Sequence, residues 1–286
     1  MFDPILTGVY LSTARPSYYF SPGFNSVSGY RGPFGLTIHD LIHLHVPGEQ
    51  SAAKKLYYRA LLKPALKRAR HVFTVSEYSK QDILQWSNID KQKIVVVGNG
   101  VSSVFTPEGY ATTYQRPYLF YVGNHKPHKN TLNAIKAFKI SRTSYTHDFL
   151  LSGPPRQHVT DFIAREGLIG KVRFTGMLEE QDLASHYRGA TSLIMPSLYE
   201  GFGLPVIEAM ACGCPVVSSD RTALTEVGGQ AAIYFNPEHV DAIADAIDQT
   251  LDKERVEHMS LLALANSARF NWQTVADLIN SAIAGA

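Results

Sequence analysis

The chain has 286 residues, 45% of them apolar, 18% charged and 11% aromatic, enough for a sizeable core and, at about 150 residues per domain, for two domains. With 27 Lys and Arg against 25 Asp and Glu the formal charge is +2, which argues against a disordered chain and a general nucleic-acid binder. The longest apolar runs fall well short of the roughly 18 residues a membrane span needs, and the N-terminus lacks the basic, apolar, small-residue order of a leader, so the sequence reads as a soluble, cytoplasmic protein.

Residues 1–35, rich in Pro, Gly, Ser and Tyr, show no strand–turn–helix pattern. Three strands are then legible, at 36–40, 71–75 and 93–97, with helices over 51–69 and 79–86. A complete doubly wound domain has five or six strands, so either the N-terminal domain is reduced or the start of the chain is missing. This part is also the basic part: residues 1–110 hold 12 basic and 7 acidic side chains, a balance of +5, against −3 for the remainder. Seven cations (Lys54, Lys55, Arg59, Lys63, Lys67, Arg68 and Arg70) interleave with apolar residues in 51–70. Such a surface can dock on anionic lipid, giving peripheral membrane contact; the competing reading is a solvated helix face, kinked at Pro64. A reduced sheet would leave an apolar edge for a second copy, a homo-oligomer, to cover.

Pro and Gly punctuate residues 104–117, which sets the joint and divides the chain into an N-terminal domain, 1–110, and a C-terminal domain, 111–270. From there strands at 118–122, 148–152, 171–175, 191–196, 216–219 and 231–235 alternate with helices near 130–142, 156–166 and 180–189, one starting near Leu204, and a final helical block. That alternation means βαβ units wound into a parallel sheet: an α/β protein. The last helix, within 271–286, is free to cross back to the first domain. Cys212 and Cys214, one residue apart and without other cysteines, support neither a disulfide framework nor a zinc site.

Two loops carry candidate chemistry. Ser197 to Glu208 runs from a buried strand into a helix. Gly201 and Gly203 let a ligand approach the backbone, Pro205 suits the first helical turn, and no Ser, Thr, Asp or Asn caps the helix. Its free N–H groups and positive dipole end suit a phosphate, with Glu200 and Glu208 bordering the crevice. The plainer reading makes Glu208 a complement to the dipole and Glu200 a solvated loop residue. The second loop, Gly123 to Asn130, follows the first strand of the domain. Lys126 and Lys129, with His125 and His128, would bring positive charge to that crevice; the plainer reading is a solvated loop with Asn130 as helix cap.

With PSLYEGFGLPVIEAMACGCPVV, these segments resemble the retaining GT-B glycosyltransferases of group 1, family 4. The resemblance extends to TIHDL (37–41), TVSEYSK (74–80), VVGNGV (96–101), YVGNHKPHKN (121–130), VRFTGML (172–178) and ARFNW (268–272), and Glu200 with Glu208 resembles the E-x7-E pair. It implies two Rossmann-like domains and a nucleotide sugar bound by the C-terminal one, with no metal and no cofactor. It implies further that Lys129 and the backbone at Gly201, Phe202, Gly203 and Leu204 contact the diphosphate, that Glu208 holds the ribose and that Glu200 orients the donor sugar. By the same resemblance His39 approaches the transferred sugar from the N-terminal domain, and the loop at Met177 faces the base. Where many family members carry an arginine after the glycine Gly123, this chain has Asn124, with Lys126 as the expected substitute.

The function implied is retaining transfer of a hexose, with mannose as the specific expectation from PHKN and TIHDL. The acceptor is a saccharide or lipid-linked saccharide in polysaccharide biosynthesis. The alternative is a non-catalytic nucleotide-sugar-binding module or truncated pseudoenzyme. An isomerase of the nucleotide-sugar 2-epimerase kind is a third reading, but those enzymes lack the EGFGLP segment.

Overall fold

The computed structural model describes residues 4–285, which divide into two compact units: 4–100 with 272–285, and Val101–Asn271. The division falls ahead of the Pro- and Gly-punctuated stretch. Residues 101–112 belong to the second unit, where Arg188 donates to the carbonyls of Thr106 and Tyr110 and Thr112 N–H donates to that of Ser185.

In chain order the first unit holds α1 (Pro4–Ala14), β1 (Tyr19–Ser21), β2 (Phe34–Ile38), α2 (Ile42–His45), α3 (Ala52–Tyr57), α4 (Lys63–Arg68), β3 (His71–Thr74), α5 (Glu77–Ser87) and β4 (Ile94–Val96). The strands form one parallel sheet in the order β1-β2-β3-β4. Two of these elements correct the reading of residues 1–35. The strand β1, three residues long between Pro16 and Pro22, is too short to show a period. The helix α1 has no charge and an interior Gly8, and tertiary contact sustains it: Leu11 is buried and the carbonyl of Pro4 accepts the N–H of Ser28.

The helix expected over 51–69 runs without a break through Pro64. A π-turn over Tyr58–Leu62 precedes the proline, with Lys63 N–H donating five residues back to Tyr58, and this adjusts the ladder where the proline supplies no donor. Three of its cations are bound to the unit's own carbonyls: Lys54 to Glu49, Lys63 to Trp86 and Arg68 to Val27, at 2.7–3.0 Å. Among the described residues no helix is long and apolar enough to cross a membrane.

The second unit holds β5 (Tyr118–Tyr121), α6 (Thr131–Ile140), β6 (Asp148–Leu151), α7 (Gln157–Arg165), β7 (Val172–Phe174), α8 (Glu180–Gly189), β8 (Ser192–Met195), α9 (Leu204–Ala211), β9 (Val216–Ser219), α10 (Leu224–Gly228), β10 (Ala232–Phe235), α11 (Val240–Asp248) and α12 (Lys253–Ser267). Its parallel sheet runs β10-β9-β8-β5-β6-β7. Read from β7, the order is 3-2-1-4-5-6, that of a Rossmann fold, and it reverses direction between β5 and β8.

Side-chain alternation builds the two helical layers. Leu119, Tyr121, Phe149, Leu151, Ile194 and Val217 share one core with α6, α7 and α11, while Phe120 on the other face meets Tyr187 of α8. The last helix, α13 (Trp272–Ala284), returns to the first unit: Val275, Ile279 and Ile283 pack with Phe73 and Val97.

Candidate active site

In an open parallel sheet a crevice forms outside the strand C-termini where the order reverses. Here the loops after β5 and β8 flank that point. They are bonded together: Leu198 N–H donates to the His128 carbonyl at 2.7 Å, and Asn130 Nδ2 donates to the carbonyls of Pro196 and Pro237 at 3.1 and 2.8 Å. Asn130, at φ +55°, is thus a clamp across three loops, not the side-chain cap weighed for α6. A further link, Glu200 N–H to Thr222 Oγ1 at 3.0 Å, joins the loop after β9.

Held this way, Lys129 Nζ and Glu200 Oε1 meet at 2.6 Å, each side chain about six-sevenths buried. The two loops singled out by composition therefore share an ion pair at the switch point. One histidine of the first loop, His125, does not add the charge expected of it. His125 and His128 are buried; His125 stacks on Tyr121 at 5.4 Å and its Nε2 donates to the Ser152 carbonyl at 2.9 Å. Burial, helped by the nearby Arg156, lowers the His125 pKa and keeps the ring neutral. Lys126 is exposed, and its N–H donates to Oδ1 of Asn124 at 3.3 Å.

The α9 N-terminus matches its expected geometry. Gly203 is the cap residue at φ +104°, no side chain caps the helix, and no acidic residue lies in its first turn. A Cβ at Gly203 would stand 2.6 Å from Leu224 Cδ2, so strain and crowding together demand glycine. Gly201 and Phe202 are buried beside it, and the Phe202 ring meets Phe270 edge-on at 5.7 Å, which gives the ARFNW segment a packing role; Leu204 is exposed. Glu208, further along α9, accepts a hydrogen bond from Tyr187 Oη at 3.0 Å, and burial raises its pKa above the ordinary carboxylate value.

Beside these groups a cavity of about 410 Å³ opens at the ends of β5, β6 and β7. It is lined by Gly123, Asn124, Ser152, Gly153, Arg156, Met177, Leu178 and Leu183 among others. Gly123, Asn124 and Met177 were legible from their loops; the 152–156 segment was passed over, although SGPPR follows a strand as the other site loops do. The remaining candidate, His39, lies in the other unit, exposed at the end of β2. Its Nε2 donates to the Pro22 carbonyl at 3.1 Å. Among the described residues no three His, Cys, Asp or Glu side chains are grouped to hold a metal, and both cysteine thiols are buried, with that of Cys212 pushed up to about 12.

A doubly wound sheet with a charged crevice at its switch point and a helix N-terminus that no side chain caps defines a class of phosphate-ligand proteins. The particular family follows from direct matches. Residues 107–263 fit the model of glycosyl transferases group 1 and residues 13–105 that of glycosyltransferase family 4; the chain belongs to the group 1 glycosyltransferases. It is 31% identical over 252 residues to the O-antigen chain mannosyltransferase B of Escherichia coli, covering 83% of this chain and 66% of that protein. It is 34% identical over 219 residues to the O-antigen chain mannosyltransferase RfbU of Salmonella typhimurium, covering 74% and 59%. The chain thus spans under two thirds of these curated relatives.

Among solved structures, sucrose-phosphate synthase from Thermosynechococcus elongatus superimposes with a TM-score of 0.81 at 20% identity over 97% of this chain and 76% of that one. Anabaena Alr3699/HepE, in complex with UDP and glucose, gives 0.78 at 19% identity over 98% and 81%. The fold class is GT-B, with a short N-terminal part.

Proposed function

We propose that the protein is a retaining glycosyltransferase. It moves a hexose, mannose in the first instance, from a nucleoside diphosphate sugar to a saccharide or lipid-linked acceptor in polysaccharide biosynthesis. The observation that carries this reading is the Lys129–Glu200 ion pair beside the uncapped α9 N-terminus. The mannose and O-antigen names of the two relatives support the donor sugar and the pathway class.

The chemistry follows from charge. As the bond from sugar to diphosphate breaks, negative charge grows on the leaving oxygens and the sugar becomes oxocarbenium-like. Lys129 and the α9 amides meet the first, and Glu200, released from its partner by the incoming diphosphate, faces the second. Glu208 holds the ribose, and the cavity beside Met177 takes the base. The acceptor attacks on the leaving-group face, with retention. A fixed lysine and helix amides supply the positive charge at the diphosphate without a metal, so transfer in excess EDTA is expected at the untreated rate; loss of activity restored by a divalent cation would contradict this.

Calorimetric titration with UDP, GDP, ADP and their sugars is the direct test. One nucleotide should bind the wild type tightly and Glu208→Ala and Lys129→Ala at least tenfold more weakly. No binding of any nucleotide by folded protein would overturn the reading. The four-stranded first unit favours a second reading, nucleotide-sugar binding without transfer. Binding with no transfer to any of a panel of mannosyl acceptors would select it.

A further inference from the structure

Tyr187, in the last turn of α8, is fully buried, its ring edge-on to Phe120 at 5.5 Å and to Phe105 at 6.0 Å. A phenylalanine would fill that space with no polar atom to satisfy. The hydroxyl instead makes its one hydrogen bond among the described residues, to Glu208 Oε2 at 3.0 Å. That bond runs from α8 to α9, the helix that carries the second glutamate of the E-x7-E pair. No other described side chain donates to the Glu208 carboxylate, which leaves Oε1 without a side-chain donor among the described residues.

We propose that Tyr187 is a positioning residue for the nucleotide: it fixes Glu208 through one carboxylate oxygen, so that the other oxygen accepts the ribose hydroxyls. The inference rests on the reading of Glu208 as the ribose ligand. The surroundings make the bond matter. Burial and Glu180 both push the Glu208 pKa up, whereas the Tyr187 hydrogen bond pulls it down. The other neighbours do not replace it. Cys212, one turn on, is an uncharged thiol, and Arg188 beside it spends its guanidinium on the carbonyls of Thr106 and Tyr110. Tyr187 itself, held far above its ordinary pKa, stays a donor at every relevant pH.

The test is calorimetric titration over about pH 5 to 8 with GDP-mannose or UDP-glucose, whichever the wild type binds. Their diphosphates are esterified at both ends and do not titrate there, so an acid limb in affinity reports the protein. Tyr187→Phe is expected to bind within about threefold of wild type at pH 8, with its acid limb moved up by about one pH unit, roughly tenfold weaker on that limb, the weight of one hydrogen bond to a charged group. Glu208→Gln should bind weakly with no limb.

If Tyr187→Phe follows the wild-type profile at every pH, or neither shows a limb, the inference is overturned, whatever happens to thermal stability. If Glu208→Gln instead binds as wild type does, limb included, the ribose reading itself has failed. Should Tyr187→Phe not fold, 3-fluorotyrosine at 187, a stronger donor of nearly the same size, should move the limb down. An unmoved limb would again overturn the proposal.

Discussion

Lys129 and Glu200 neutralise each other in a site that has to accept a diphosphate, and this sets what each substitution should do. Removing one partner of a largely buried pair leaves the other charge uncompensated, which costs about 3 kcal/mol. Lys129→Ala should therefore lower the melting temperature as well as turnover, and kcat should fall by about 10² to 10³, more than KM rises, because the lysine's interaction strengthens as the leaving group gains charge. Steady-state kinetics beside a thermal scan would separate the two effects. A double variant, Lys129→Ala with Glu200→Ala, should recover stability without recovering turnover. Equal recovery of both would mean the pair is purely structural.

The buried histidine of the same loop makes stability depend on pH. Burial lowers the pKa of His125 below 6.5, and that of His147 likewise, so the unfolded chain binds protons that the folded one refuses. Their contribution is complete above pH 6.5 and is lost as pH falls through the depressed folded values. Denaturant titrations at pH 7.5 and 5.5 should show lower stability at 5.5, with a smaller difference in His125→Gln; an unchanged difference would assign the loss elsewhere. Composition alone presents His125 as a cation, because the depth of a loop is set by packing partners such as Tyr121 and Phe174 that lie outside it.

Elements were legible where local chemistry agrees with tertiary context. The strands of the second unit are short β-branched or aromatic runs between turn residues, and the α9 loop advertises itself by Gly201, Gly203 and Pro205. Sequence reading does not single out Ser152 and Arg156, which line the cavity, or Thr222 and Tyr187, which hold Glu200 and Glu208; parallel pairing of distant strands brings them together, which no local pattern encodes. The helix α1 is the opposite case, poor in its own signals and dependent on docking. A Cβ at Gly8 would collide with the carbonyl of Ser28. Gly8→Ala, which would otherwise gain up to about 1 kcal/mol of helix propensity, should instead destabilise the first unit by about 1–3 kcal/mol. Faster proteolysis within the first 30 residues would report it; a stabilised protein would show that α1 is not held against Ser28.

At the scale of the whole molecule, the first unit is discontinuous: α13 supplies Val275, Ile279 and Ile283 to a cluster whose other members, Phe20, Phe73, Val95 and Val97, come from the N-terminal third of the chain. Ending the chain at Asn271 should lower the stability of that unit by several kcal/mol, since it uncovers a buried Phe73, while amide exchange in β5 to β10 stays as in the intact protein. Equal loss of protection in both sheets would mean the units unfold as one.

The same discontinuity imposes an order on biosynthesis. A ribosome delivers β1 to β4 first, yet every residue of the second unit, 101–271, emerges before the helix that covers Phe73. The later-made sheet can mature while the earlier one waits with an apolar face open. The nascent chain is therefore most exposed to chaperones, and to self-association, at the face around Phe73 until α13 leaves the exit tunnel.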